Sequence, residues 1–197
     1  MDRYRQIKHL NVTDDLVQKV IGFYQNHVEV PYISPDRDLD SWVTSVELGV
    51  ESLVPKRNMI RFEDDCLPGH IILLWRIGFS TFTNESVFPK YFEYDYGIHA
   101  DEALEDIQQK GFARKLTASE SLKYLPATHL KAFLKKKGVK GYSTLKKEEL
   151  MVKVKEMFTE EELASLFNVR GFELTHLGKQ KLEAHSDVVD RHPKKSY

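Results

Sequence analysis

A chain of 197 residues that is 41% hydrophobic and 30% charged, with 11 Phe, 9 Tyr and 2 Trp, has room for one ordinary domain or two small ones and is too apolar to be disordered. Its one cysteine, Cys66, excludes an internal disulfide and a Cys-rich zinc site and fits a reducing compartment, here expected to be the cytoplasm. The net charge of -1 averages over a strong asymmetry: residues 123–155 hold ten lysines against only Glu148 and Glu149, a local +8 on a body that carries -9.

The first ten residues carry Arg3, Arg5, Lys8 and His9 with no apolar run behind them, so no secretory segment is expected. The longest apolar run, residues 71–75, ends at Arg76, far short of the roughly 20 residues that span a bilayer, and no membrane contact is expected. Asp14 or Thr13 can cap a first helix to about residue 26, with Leu16, Val17, Val20, Ile21 and Tyr24 on its buried face. Pro31 and Pro35 break the chain, and a second helix is predicted from Asp40, where Trp42, Val43, Val46 and Val50 recur at helical spacing.

A short strand is predicted at 59–62, then an apolar helix from Pro68 and Gly69 to about residue 77 with Gly78 as its stop. Thr83, Asn84 and Pro89 mark the next start, Ala100, Ala103, Leu104 and Ile107 form the face of a third helix ending at Gly111, and 112–116 reads as a strand. Three helices followed by a strand is the order of a winged helix-turn-helix. Its reading region would carry Glu93, Asp95, Asp101, Glu102, Glu105 and Asp106, which repel phosphates, so this part is expected to be scaffold or to bind a protein partner.

The lysines (Lys123, Lys131, Lys135, Lys136, Lys137, Lys140, Lys146, Lys147, Lys153 and Lys155) interleave with an apolar stripe. Leu130, Phe133 and Leu134 define one predicted helix stopped by Gly138, and Leu150, Met151, Val154 and Phe158 define a second. This pattern resembles the helix-extended-loop-helix family of SAP modules and of the N-terminal module of the transcription terminator Rho. The Rho-type spacing is matched by Gly138, Val139, Ser143, Leu145, Lys147 and Leu150, over about 35 residues, whereas Leu145 stands where SAP modules usually carry a second Gly. The resemblance implies nucleic-acid contact, to DNA or RNA, at Lys131, Lys135, Lys136, Lys137, Lys140, Tyr142, Ser143, Lys146 and Lys147, with backbone N–H groups at the start of the second helix favouring an anion. Together with the closing segment 172–178, the chain looks similar to small bacterial and prophage proteins that carry a SAP-like region.

Thr159 and Glu162 form a capping box for a further helix through Phe167; 172–182 reads as strand entry and a last helix, and a disordered tail is predicted from His185. Asp36, Asp38, Asp40, Thr44 and Glu47 occupy calcium-loop positions, but Ser41 stands at the turn glycine and prolines replace the entering helix. The eight histidines include no i, i+4 pair, and no phosphate loop or nucleophile elbow is present.

The expectation is therefore a mainly α-helical protein that is not an enzyme and uses no cofactor or metal. Its predicted parts are an acidic front part at 1–116, winged-helix-like from 68, the basic module at 117–158, a helical cap at 159–184 and the tail at 185–197. Its expected role is tethering DNA or RNA through the module. The alternative is a protein-interaction factor, a prophage-type modulator of a host complex, whose basic face meets an acidic protein.

Overall fold

The computed structural model describes residues 2–193, which are mainly α-helical with one two-stranded ribbon. Helix α1 (Asp15–Phe23) starts where Asp14 accepts the N–H groups of Leu16 and Val17, and it buries Val17 and Val20. Helix α2 (Leu39–Glu47) is capped by Asp38 rather than started at Asp40, and it packs Trp42 and Val43 inward. Val50 is exposed, because Gly49 takes a left-handed conformation and ends the helix before it.

The strand predicted at 59–62 does not form. Pro55 opens a 3-10 turn at Lys56–Met59, and the Phe62 N–H donates to the Cys66 carbonyl at 2.9 Å, folding the segment into a turn with no neighbouring strand to pair with. Helix α3 (Pro68–Gly78) follows as expected. Its Ile71, Ile72, Leu73, Leu74 and Ile77 are all buried, as an element apolar on every side requires. The single turn α4 (Tyr91–Tyr94) leads to α5 (Ala100–Gln109), whose Ala100, Ala103 and Ile107 face the core, and then to β1 (Ala113–Lys115).

A winged helix would continue β1 into a hairpin. Here the chain instead leaves through α6 (Ala118–Ser121), α7 (Ala127–Lys136), α8 (Lys147–Met157) and α9 (Glu160–Leu166) before β2 (Phe172–Leu174) returns to pair with β1. The pairing is antiparallel, with Ala113 opposite Leu174 and Lys115 opposite Phe172, so the winged-helix expectation is corrected: the ribbon is the neck of an insertion. Helices α10 (His176–Ala184) and α11 (Ser186–Asp190) then pack on α3.

Two cores result. The first joins Ile7, Val20, Tyr24, α3, Phe92 and Ile107 to Phe172 and Val188 from the C-terminal segment, with Leu174, Leu182 and Val189 packed against it. The second contains Ala118, Leu122, Leu125, Leu130, Leu134, Leu150, Val154, Phe158 and Leu163. The expected cap at 159–184 is therefore not one unit: α9 completes the module, while β2 and α10 belong to the front body. The module accordingly spans 117–170 within a discontinuous front body.

The neck is tightly built. The Leu116 N–H donates to the Gly171 carbonyl at 2.9 Å, the Gly171 N–H donates to Ser121 Oγ at 3.1 Å, and the Tyr124 ring lies where a Gly171 side chain would stand. The tail expectation is also corrected for its first part. Val188 of α11 is buried, and Tyr96 Oη lies 2.8 Å from Nδ1 of the buried His192, whose ring packs near Trp75 and Tyr91. Residues 194–197 of the predicted tail lie outside the described residues.

Candidate nucleic-acid interface

Leu130 and Leu134 of α7 are one turn apart and fully buried, which fixes the directions of the neighbouring lysines. Lys131 and Lys135, also four residues apart, share one flank; Lys136 and Lys137 fall on the other. Gly138, with φ of 72°, ends the helix: its N–H donates to the Lys135 carbonyl at 3.0 Å, and the Val139 N–H donates to the Leu134 carbonyl at 3.0 Å. The chain is thereby turned into the loop with Val139 packed against the module core.

In the loop, Val139, Tyr142 and Leu145 pack on the second core, leaving Lys140, Ser143 and Lys146 exposed. Lys131 Nζ donates to the Ser143 carbonyl at 2.7 Å, joining its flank of α7 to the loop. Lys147 Nζ donates to the Lys123 carbonyl at 2.6 Å, fixing the start of α8 to the turn before α7. The structure thus links Lys131 to the loop at Ser143 and Lys147 to the turn before α7, with Lys135 on the Lys131 flank, Lys140 and Lys146 exposed in and after the loop, and Tyr142 packed against the module core.

Lys136 and Lys137 are separated from this group. They line a shallow groove of about 230 Å³ with Phe158, Glu162, Ser165 and Leu166 on the α9 side. Lys137 Nζ lies 2.5 Å from Glu162 Oε1 and 4.7 Å above the Phe158 ring. That ammonium, together with the Thr159 N–H, holds the Glu162 carboxyl below its ordinary range.

The start of α8 also differs from expectation. Glu149 Oε2 accepts the Lys146 N–H at 2.8 Å, and Glu148 and Glu149 occupy the first turn, so the positive end of this helix is already met by its own carboxylates.

The ion pairs of the two parts contrast. Among the described residues, Lys137 is the only one of the ten lysines at 123–155 that meets a carboxylate; Lys131 and Lys147 donate to neutral carbonyls. In the front body Arg5 pairs with Asp65, Arg37 with Glu93, Arg61 with Glu29, Lys110 with Asp106 and Lys181 with Asp64. Excess positive charge is thus concentrated on the module, while Asp101, Glu102 and Glu105 of α5 give the front body an exposed acidic face.

The calcium-loop residues serve α2. Asp38 accepts from the Ser41 N–H and Oγ at its start, and Asp40 through Glu47 lie within the helix. Among the described residues no group of three His, Cys, Asp or Glu side chains is placed to hold a metal ion. Among the described residues no helix is long and apolar enough to cross a membrane. Cys66 is buried, and burial with Asp64 and Asp106 nearby pushes its thiol up to about 12, away from nucleophilic chemistry.

The sequence reading missed the division of the lysines into two sides, which depends on where α9 packs. The signal was the triplet Glu160, Glu161 and Glu162: Glu160 accepts the N–H groups of Ala118 and Ser119, and Glu162 takes Lys137. No protein-family model, curated protein or solved structure matches the chain.

Proposed function

We propose that the inserted module holds the phosphate backbone of DNA or RNA through its loop-side lysines, and that the acidic front body tethers the polymer to a protein partner. The observation that carries this reading is that Lys135, Lys140 and Lys146 are exposed and meet no carboxylate among the described residues, while Lys131 and Lys147 donate to neutral carbonyls, so the helix-loop-helix carries a local excess of unneutralised positive charge. Each phosphate neutralised releases counterions, so such a surface binds with strong salt dependence and little sequence preference. The acidic face of α5 keeps the polymer off the front body and favours a basic protein surface there.

The resemblance to SAP and Rho-type modules agrees with this reading in its Gly138, Val139, Ser143, Leu145, Lys147 and Leu150 pattern. No catalytic role is assigned, and the mechanism is electrostatic capture. Fluorescence anisotropy of the full chain against labelled duplex DNA, single-stranded DNA and RNA, at about 50 and 200 mM salt, tests it. Binding that weakens steeply with salt is expected. Absence of binding to all three at the lower salt would contradict it and leave the basic face for an acidic protein.

A further inference from the structure

Trp75 of α3 is only partly covered, and with Leu182 and Val189 of the C-terminal helices it walls an apolar groove of about 320 Å³. Its ring is held edge-on between Phe79, at a centroid distance of 4.8 Å, and His192, at 5.6 Å. Phe79 lies one turn on from Trp75, just past the end of α3, and is 57% exposed. The apolar surface therefore leaves the groove and continues over the outside of the body. A small molecule seated in the groove would cover Trp75 and leave Phe79 in water, whereas a segment of protein covers both.

The rim is polar. Lys179, the single cation among the lining residues, stands one turn before Glu183 on α10, with Ser186 and Asp190 from α11 beyond them. Glu183 and Asp190 are exposed and meet no cation among the described residues, although on the same two helices Lys181 pairs with Asp64 and Asp187 with Arg191. Two carboxylates left over from the local pairing, on a body that is already negative, repel phosphates and anionic lipid and favour a cationic partner. An aromatic centre inside a charged rim is the anatomy of a protein contact.

We propose that this groove docks a basic amphipathic helix of the protein partner. One large apolar side chain of that helix sits between Trp75, Leu182 and Val189, a second covers Phe79, and Lys or Arg side chains meet Glu183 and Asp190. Trp75 and Phe79 are themselves one helical turn apart, which matches anchors three or four residues apart on the docked helix. The proposal rests on the reading of the front body as the partner-binding part and gives that part its surface.

Three labelled helical peptides are the probes, titrated into the full chain: one with Leu at i, i+3, i+4 and i+7 and Lys elsewhere, one with Glu in place of Lys, and one with the first composition scrambled. The first is expected to bind saturably, one per chain, at least tenfold tighter than the other two, with amide shifts centred on Trp75, Glu183 and Val189. Phe79→Ala should weaken it at least tenfold, and Glu183→Gln with Asp190→Asn should weaken it and flatten its salt dependence. All three positions are exposed, so the thermal midpoint of the free protein should not move. Equal binding of the scrambled or acidic peptide, absence of binding, or variants that bind like the parent would overturn the proposal. Shifts on the acidic face of α5 would also overturn it, while leaving the front body as the partner-binding part. Self-association of the free chain that Phe79→Ala abolishes would reassign the groove to a second copy and overturn it as well. A duplex DNA titration of the same variants reads the module separately.

Discussion

Replacing Lys135, Lys140 and Lys146 together by Ala removes three exposed cations that make no ion pair among the described residues, and none of the three supports a core side chain. With Lys131 and Lys147 the parent offers about five phosphate contacts, so on duplex DNA the slope of log K against log salt should be about -4.5, from about -0.9 per contact. Between 50 and 200 mM salt this amounts to about a 500-fold loss of affinity. With about two contacts left, the triple variant should have a slope near -1.8 and lose only about twelvefold over the same range. Anisotropy titrations at four salt concentrations, with circular dichroism to verify folding, measure both slopes. A folded triple variant whose slope equals that of the parent would refute the assignment of these lysines to the interface.

Other consequences are equally specific. Glu162→Gln frees Lys137 from its carboxylate partner and should steepen the salt slope if the polymer reaches the α9 side; an unchanged slope confines contact to the loop side. Glu29→Gln leaves the buried Arg61 without its counter-charge and should cost about 3–5 kcal/mol in urea unfolding, whereas breaking the exposed Lys8–Asp2 pair should leave the unfolding curve unchanged. A methyl group at Gly178 would lie 1.9 Å from the Phe112 carbonyl oxygen, so Gly178→Ala should destabilise by at least about 2 kcal/mol, read as a lowered unfolding midpoint. Burial depresses His70, and it also depresses His185 and His192, below the ordinary value of 6.5. The unfolded chain therefore takes up protons first, and the stability present above pH 6.5 is lost as pH falls from 6.5 toward about 4. Thermal midpoints between pH 7.5 and 4.5 should fall accordingly, and His70→Gln, which keeps an acceptor for the Leu67 N–H, should flatten part of that fall.

Local signals in the sequence located the individual elements well. Asp14, Gly111, Gly138 and the Thr159–Glu162 pair cap or stop helices as their chemistry dictates, and the all-apolar run at 71–74 lies at the centre of the body. Nonlocal pairing was less legible. Nothing in 112–116 announces that its partner strand lies beyond four helices, so β1 looked like the entry to a wing, and α9 looked like a cap although its Leu163 completes the module core. The tail at His185 and beyond reads as polar, yet Val188 and His192 are placed so that α11 closes over α3.

The lysine set was visible as composition, whereas its division into two sides was not. That division follows from the rotation of α7 fixed by Leu130 and Leu134 and from the position of Glu162.

The most direct measurement is a residue-resolved NMR titration of the full chain with a short DNA duplex and with a single-stranded RNA, following backbone amide shifts at low salt. Shifts confined to Lys131, Lys135 and the loop at 140–147, with the acidic face of α5 unmoved, are the predicted result. Shifts concentrated on the front body, or none in the loop at saturating polymer, would contradict the account.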